Sequence, residues 1–384
     1  MKTLLLIACL ASVLAAPVRA APFVPATDDV VVERLPERTD PSLKRLRAAR
    51  LALASDPRNL AIATAVARRA IEASRENGDP RYLGMAEAAL APWWHDATPP
   101  PAARVLRATI RQSQHDFDGA LADLDALLRA QPADGQALLT RATVLAVRGR
   151  YDEALRDCAA LAGRTSALVV AACRATPASL GGDADATYRE LTGLLARTSV
   201  DAGVRVWALT LAAEIAARGA EPAAAETHFR AALALDPRDA YLKAAYADWL
   251  LDGGRPVEAL AVVRADERND ALLLRIALAE QRLPARAADF AVHRAALAER
   301  FSAARQRGDG LHRREEARFR LAIEGDAPGA LALALANWDV QREPADRRIL
   351  LEAARAAGDT RTVQRLAEQD RRTRVDVARA GGRP

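Results

Sequence analysis

Aromatic residues make up only 4% of the 384-residue chain, against 51% apolar residues that are mostly Ala and Leu. A globular α/β core draws more on Val, Ile and Phe, whereas Ala and Leu are what close-packed helices use. Lysine is nearly missing: Lys2, Lys44 and Lys243 stand among 55 basic residues, an Arg bias that reads as a GC-rich bacterial genome rather than a function. Charge of one sign is lacking too. The formal net charge is +5, and Arg alternates with Asp and Glu, as in Arg313-Arg314-Glu315-Glu316. Such mixing solvates helix faces and excludes the one-sided basic track that nucleic acid needs. No later segment is apolar enough to span a membrane, which takes ~20 residues. Catalytic and metal motifs are absent as well. None of His95, His115, His228, His293 and His312 forms His-x3-His or His-Glu-x2-His, and no phosphate loop, dinucleotide fingerprint or Gly-x-Ser-x-Gly occurs. These absences argue against an enzyme, and no cofactor or metal is expected.

What is there begins at the first residues. Met1-Lys2-Thr3 is followed by an apolar run from Leu4 to Ala16 and by Val18-Arg19-Ala20 before Ala21-Pro22. A positive start, a short apolar core and small residues before a cut between Ala20 and Ala21 predict a cleaved secretory signal. Cys9 in Leu6-Ile7-Ala8-Cys9 offers a lipoprotein reading, but only Leu4 and Leu5 precede that motif as apolar core. Cleavage removes Lys2 and Arg19 and takes the charge from +5 to +3. The expected location is the periplasm.

The chain repeats itself. His115-Asp116-Phe117-Asp118-Gly119-Ala120-Leu121 leads to Leu124, Leu127 and Pro132, then Ala142, Leu145, Gly149-Arg150 and Glu153-Ala154-Leu155. An offset of 105 brings Ala225, Phe229, Ala232, Pro237, Ala247, Leu250, Gly254-Arg255 and Glu258-Ala259-Leu260 onto the same pattern. Ala120 to Ala154 and Ala225 to Ala259 are each 34 apart. Small residues at Ala142 and Ala154 let two helices approach, Gly149 suits a left-handed helix end, and Pro132 and Pro237 stop the second helix.

With Ala225-x3-Phe229, Asp236-Pro237 and Tyr151-Asp152-Glu153-Ala154-Leu155, the chain resembles the tetratricopeptide-repeat family, whose period is ~34 residues. The early Trp and Leu-Gly of that family's first helix are mostly missing, although Ala108, Ala142 and Ala247 supply its small residue. The resemblance covers about 100–270 well and 41–100 and 308–371 loosely. It implies an all-α, right-handed α-solenoid of about eight helical hairpins that binds proteins. The expected organisation is a signal peptide over 1–20, a linker over 21–40, the solenoid over 41–270, irregular long helices over 271–307, C-terminal hairpins over 308–371 and a frayed tail over 372–384. The hairpin over 166–198 is expected to be degenerate, interrupted by Pro177 and Gly181-Gly182.

In that family the first helix of each hairpin lines a concave face. By register the groove candidates include Thr109, Gln112, Gln136, Thr143, Trp207, Thr210, Glu214, Tyr241 and Asp248, with Trp207 and Tyr241 as aromatic anchors or as helix packing. Lys and Asn are almost absent there, which disfavours the Lys/Asn grip on a partner's terminal carboxylate that some members use. Cys158 and Cys173 lie six residues before and eight after a turn at Arg164-Thr165, at nearly one height on neighbouring helices. They are a candidate disulfide, or two buried free thiols. The least regular stretch holds His312, Arg313, Glu316, Asn337, Trp338 and Gln341. Its polar residues either form an ion-pair network in a C-terminal cap or face a ligand.

Three functions follow as expectations. The first is a non-catalytic periplasmic scaffold for a protein or peptide partner. The second is an accessory factor of an envelope machine such as cytochrome maturation or polysaccharide export. The third is an enzyme with a site in 271–346 built on His312, Glu315 and Glu316.

Overall fold

The computed structural model describes Thr27, 41–219 and 222–373. The expected signal segment with Ala20 and Ala21, the linker apart from Thr27, and 374–384 of the expected tail lie outside the described residues. The chain divides into two units, 1–44 and 45–384, and almost everything below concerns the second.

All regular elements among the described residues are helical. After α1 (Pro41–Ser55) they pair in sequence: α2 (Leu60–Asn77) with α3 (Arg81–Ala89), which the single turn α4 (Ala91–Trp94) extends; α5 (Pro101–Ser113) with α6 (Phe117–Ala130); and α7 (Gly135–Val147) with α8 (Tyr151–Ala160). Next come α9 (Ala167–Ala178) with α10 (Ala184–Arg197), α11 (Ala202–Arg218) with α12 (Pro222–Leu235), and α13 (Ala240–Asp252) with α14 (Pro256–Val263). The last pairs are α15 (Asp270–Glu280) with α16 (Ala287–Gln306), α17 (Arg313–Phe319) with α18 (Ala327–Trp338), and α19 (Pro344–Ala356) with α20 (Thr360–Thr373). That makes nine hairpins among the described residues, one more than the spacing led us to expect. The ninth is the pair α15–α16, which breaks the repeat spacing yet packs as a hairpin across the 3-10 turn Pro284–Arg286.

The sequence marks these boundaries chemically. First helices begin at a short polar side chain that accepts an otherwise orphaned backbone N–H: Asn59 from Ile62, Asp134 from Ala137, Ser166 from Val169, Asp201 from Val204, Asp239 from Leu242 and Asn269 from Leu272. Two first helices end alike. Arg150 N–H reaches the Leu145 carbonyl at 2.8 Å and Arg255 N–H the Leu250 carbonyl at 2.9 Å. The bend falls on Gly149 and Gly254 at φ 73° and 70°. That left-handed backbone costs a residue with a side chain about 1–2 kcal/mol.

Small residues then set the helix spacing. Ala120, Ala142, Ala154, Ala225, Ala247 and Ala259 are all buried where paired helices meet. One apolar cluster joins α5 to α9 through Leu124, Leu138, Val144 and Leu145. A second continues from α9 to α17 through Leu168, Phe229, Leu250, Leu274, Phe301 and Phe319. The degenerate hairpin lies where they meet. There α9 carries Pro177 in its last turn and widens into a π-turn over Ser179–Asp183, with Gly182 at φ 111°. A disulfide joins Cys158 on α8 to Cys173 on α9, Cα atoms 5.6 Å apart, both residues buried.

Helix α15 is the most enclosed element. Every residue from Leu272 to Glu280 is buried, including Arg275 and Glu280. Buried charge is tolerated only when paired. Glu280 is met by His293 Nδ1 at 2.7 Å and Arg286 at 3.2 Å. Arg275 is met by Asp248, and that pair opens the candidate site.

Candidate functional site

The first-helix register that exposes Tyr241 near the start of α13 places Asp248 two turns on, where it meets Arg275 of α15. Asp248 accepts from Arg275 Nε at 3.0 Å and Nη2 at 2.7 Å, and from Arg318 of α17 at 2.6 Å. Burial pushes its carboxyl up in pKa, but the two guanidiniums outweigh burial and hold it well below the usual carboxylate range. The chain of charges continues. Arg275 lies 3.8 Å from Glu315, and Arg314 lies 3.2 Å from Glu315, 3.1 Å from Glu343 and 3.4 Å from Asp346. Burial raises Glu315 and the adjacent Arg314 and Arg275 more than cancel it, so Glu315 stays ionised.

Asp346 closes the network from behind. It accepts from Asn337 Nδ2 at 2.9 Å and from the backbone N–H of Glu343 at 2.9 Å, while Gln341 Nε2 donates to Asn337 at 3.4 Å. Asn337, Gln341 and Asp346 are all buried. Polar residues at these positions thus satisfy one another and fix the segment 339–343 between α18 and α19.

In front of this network lies an open polar face. Tyr241 is 55% exposed, and its hydroxyl donates to Glu214 of α11 at 2.5 Å. Arg218, one turn beyond Glu214, donates to Ser179 Oγ at 3.1 Å and has no carboxylate within ion-pair distance among the described residues. The groups feel one another. The charge of Glu214 holds the Tyr241 hydroxyl well above its ordinary pKa, with the charge of Glu343 adding. Burial pushes Glu214 up and Arg218 down. Tyr151, at the start of α8, is raised by burial and acted on by Arg218, Arg342 and Glu343. Residues from α8, α11, α13, α17 and the 339–343 segment therefore share one space.

The sequence candidates divide across this arrangement. Tyr241, Glu214 and Asp248 come together with the C-terminal hairpins. Trp207 is half-buried and packs against both apolar clusters. Thr210 is buried, with its hydroxyl returned to the Val206 carbonyl at 2.9 Å. Thr109 and Thr143 likewise bond to carbonyls of their own helices, and Gln136 bonds to Thr140. Trp338 is buried in a small cluster with Ile349, Leu350 and Leu366. Glu316 points away from Glu315, to Arg305 and to Arg320 at 3.1 Å. His312 and Arg313 stand near His115, whose pKa falls to about 4, first through burial and then through Arg314. Asn337 and Gln341 bond to each other, whereas Glu316 turns to Arg305 and Arg320. Sequence reasoning missed Tyr151, Arg218, Arg275, Arg314 and Asp346. Their signal was register alone, since an Arg or Asp in this chain is otherwise unremarkable.

The geometry defines the class: an all-α array of consecutive helical hairpins with a polar face between its middle and C-terminal pairs. No protein-family profile matches the sequence, and no curated protein does. Among solved structures, the chain is similar to a tetratricopeptide repeat protein from Parabacteroides merdae ATCC 43184, at 16% identity and a TM-score of 0.39 over 75% of this chain and 98% of that one. It is similar to the APC/C hetero-tetramer Cut9-Hcn1 at 14% identity and a TM-score of 0.45, over 81% of this chain and 52% of that one. A third is the P58(IPK) TPR domain, at 15% identity and a TM-score of 0.22 over 83% and 94%. No helix among the described residues is long and apolar enough to cross a membrane.

Proposed function

We propose that the chain is a non-catalytic scaffold that holds a protein or peptide partner on the face built by α11 and α13, without cofactor and outside the cytoplasm. The observation that carries this is Tyr241: an aromatic side chain more than half exposed, braced by Glu214 and flanked by Arg218, which has no ion-pair partner among the described residues. Exposed Tyr and Arg on a rigid surface are the usual anchors of protein interfaces, because they offer large contact area at low entropic cost. The cut-site pattern at Ala20 and Ala21 and the Cys158–Cys173 bond support export to an oxidising compartment, the periplasm in a bacterium. His312, Arg313 and Glu214 border the same face and are the secondary contacts in this reading, while Trp207, Trp338, Asn337 and Gln341 support it from the packed interior.

The second reading makes the chain an accessory factor of an envelope assembly machine, with a subunit of that machine as the partner. An enzyme centred on His312, Glu315 and Glu316 gains little support, because both carboxylates are engaged by arginines on opposite sides of α17. The test is capture from native periplasmic extract after crosslinking. Partners recovered by the natural chain are expected to be lost with Tyr241→Ala; an unchanged set would remove this face from consideration.

A further inference from the structure

The polar face holds more hydrogen-bond donors than its acceptors use, and the surplus gathers at one end. Arg218 closes α11. Its Nη2 donates to Ser179 Oγ at 3.1 Å, and Ser179 in turn donates to the Thr176 carbonyl at 3.2 Å. That anchor holds the guanidinium by one corner. Its other nitrogens have no partner among the described residues and are open to solvent. Arg342 is held by its backbone rather than by its charge. Its N–H donates to the Val147 carbonyl at 2.7 Å, and the Gln341 N–H bonds back to the Asn337 carbonyl at 2.9 Å, so the turn that carries Arg342 is fixed to the end of α7. Arg342 Cδ rests beside Gly149, 3.4 Å from where a Cβ would stand. The Arg342 guanidinium lies 6.0 Å from the centre of the Trp338 ring, with no carboxylate or hydrogen-bond partner among the described residues.

Tyr151 follows Gly149 by two residues, at the first position of α8. Its hydroxyl is the third donor of this kind, half-buried in its surroundings and without a partner among the described residues. Both Arg218 and Arg342 act electrostatically on that phenol, which places the two guanidiniums on either side of it. The carboxylates nearby are already engaged. Glu343 meets Arg314 at 3.1 Å, and Glu214 takes the Tyr241 O–H at 2.5 Å. Burial therefore pushes Arg218 down in pKa despite Glu214 one turn away, which marks a positive charge that its neighbours do not compensate. Partly buried donors of this strength call for an acceptor.

We propose that Arg218, Arg342 and Tyr151 form a binding site for an oxyanion, the carboxylate or phosphate of a small ligand, between the end of α11, the start of α8 and the 339–343 turn. Guanidiniums donate in pairs to such groups, the phenol O–H supplies a further bond, and partial burial strengthens each of them. Glu214 and Glu343 border the site, so a singly charged group meets less repulsion there than a doubly charged one. A carboxylate is the favoured occupant on that ground. One of the three residues ends a first helix, one opens a second helix and one lies in a connection, so the arrangement differs from a Lys/Asn grip on successive first helices. The inference rests on the scaffold reading of this face and names the chemistry of what is held beside Tyr241.

The test uses the full chain with carbon-13 in its tyrosine rings, which number five, and Tyr151→Phe identifies the Tyr151 signal. Sodium acetate and inorganic phosphate are titrated separately at constant ionic strength, so that general screening does not change. Acetate is expected to move the Tyr151 signal along a saturable curve. The tighter of the two anions shows whether the ligand group is a carboxylate or a phosphate. Arg342→Gln, whose side chain is exposed, is expected to raise the dissociation constant about tenfold through the loss of one charge-assisted contact, and Arg218→Gln by the same order. A Tyr151 signal that drifts without saturating for both anions overturns the proposal, as does a dissociation constant unchanged in both folded Arg→Gln variants. The two readings of this face fail separately. Partner capture that depends on Tyr241 while neither anion saturates overturns this inference alone. An Arg218-dependent saturable site beside capture indifferent to Tyr241→Ala supports it and removes the scaffold reading.

Discussion

At the scale of single residues, the molecule spends its charges in two ways. Asp248 sits between two guanidiniums, one of them on the most enclosed helix, so its removal leaves the buried Arg275 with the longer, 3.8 Å contact to Glu315 and takes the carboxylate from Arg318. Breaking such a pair from one side costs about 3–5 kcal/mol. Asp248→Ala is therefore expected to lower the urea midpoint far more than Glu258→Ala, whose Arg255 partner retains Glu226. Tyr241 makes the opposite case. It is exposed, and its hydroxyl bonds to Glu214, so Tyr241→Ala is expected to abolish partner capture while moving the melting temperature little. His115 reports on the contact with the C-terminal hairpins. Its folded pKa of about 4 lies below the ordinary value of 6.5 because burial and Arg314 oppose protonation. Between those values the unfolded chain binds more protons than the folded one, so stability rises with pH across this window and is lost as pH falls through it. Thermal melts from pH 7 to 4.5 should show that slope, and His115→Asn, which tolerates the left-handed φ of 61° found there, should flatten it.

At the scale of elements, much of the fold was legible because it rests on local chemistry. Gly149 and Gly254 mark helix ends that only a left-handed turn allows, and Ala142, Ala154, Ala247 and Ala259 mark close helix approaches. Both signals survive in a sequence with few aromatics. The N-caps Asn59, Asp134, Asp201, Asp239 and Asn269 are equally local signals, each a short polar side chain at the head of a helix. Each is expected to cost about 1 kcal/mol on change to Ala. The site was less legible. Helix α17 has seven residues and begins Arg313-Arg314-Glu315-Glu316, so neighbouring residues of one charge face opposite ways. Only the phase of the helix separates Glu315, turned to Arg275, from Glu316, turned to Arg305 and Arg320. Asn337 and Gln341 stood out as odd choices for an inward face, but their partner Asp346 lies on another hairpin that no spacing rule connects. The Cys158–Cys173 link closes a 15-residue separation. A loop of that size is worth about 3 kcal/mol by chain-entropy arguments, so reduction should lower the unfolding free energy by that order without altering the helical signal.

At the scale of the whole second unit, three ties set it apart from an open row of hairpins. Besides the 339–343 contact with α7, Arg348 of α19 pairs with Asp252 at the end of α13, and Gln281 donates to the Ala322 carbonyl at 3.0 Å. These ties turn the first-helix face of the middle repeats toward the C-terminal hairpins. A surface that a repeat array would otherwise leave open becomes a partly enclosed polar space between them. In this account the irregular C-terminal third gives a generic repeat its individuality, because it supplies Arg314, Glu343 and Arg342 to the face that Tyr241 and Glu214 begin.

The most direct measurement is site-specific photo-crosslinking in the native envelope, with a benzophenone amino acid placed at Tyr241 and, as a control, at the still more exposed Val257 on the second helix α14. A discrete crosslinked protein from position 241 and none from 257 is the predicted result. Crosslinks of the same kind from both positions, or none from 241 under conditions where the chain is folded and oxidised, would contradict the claim that this face holds a partner.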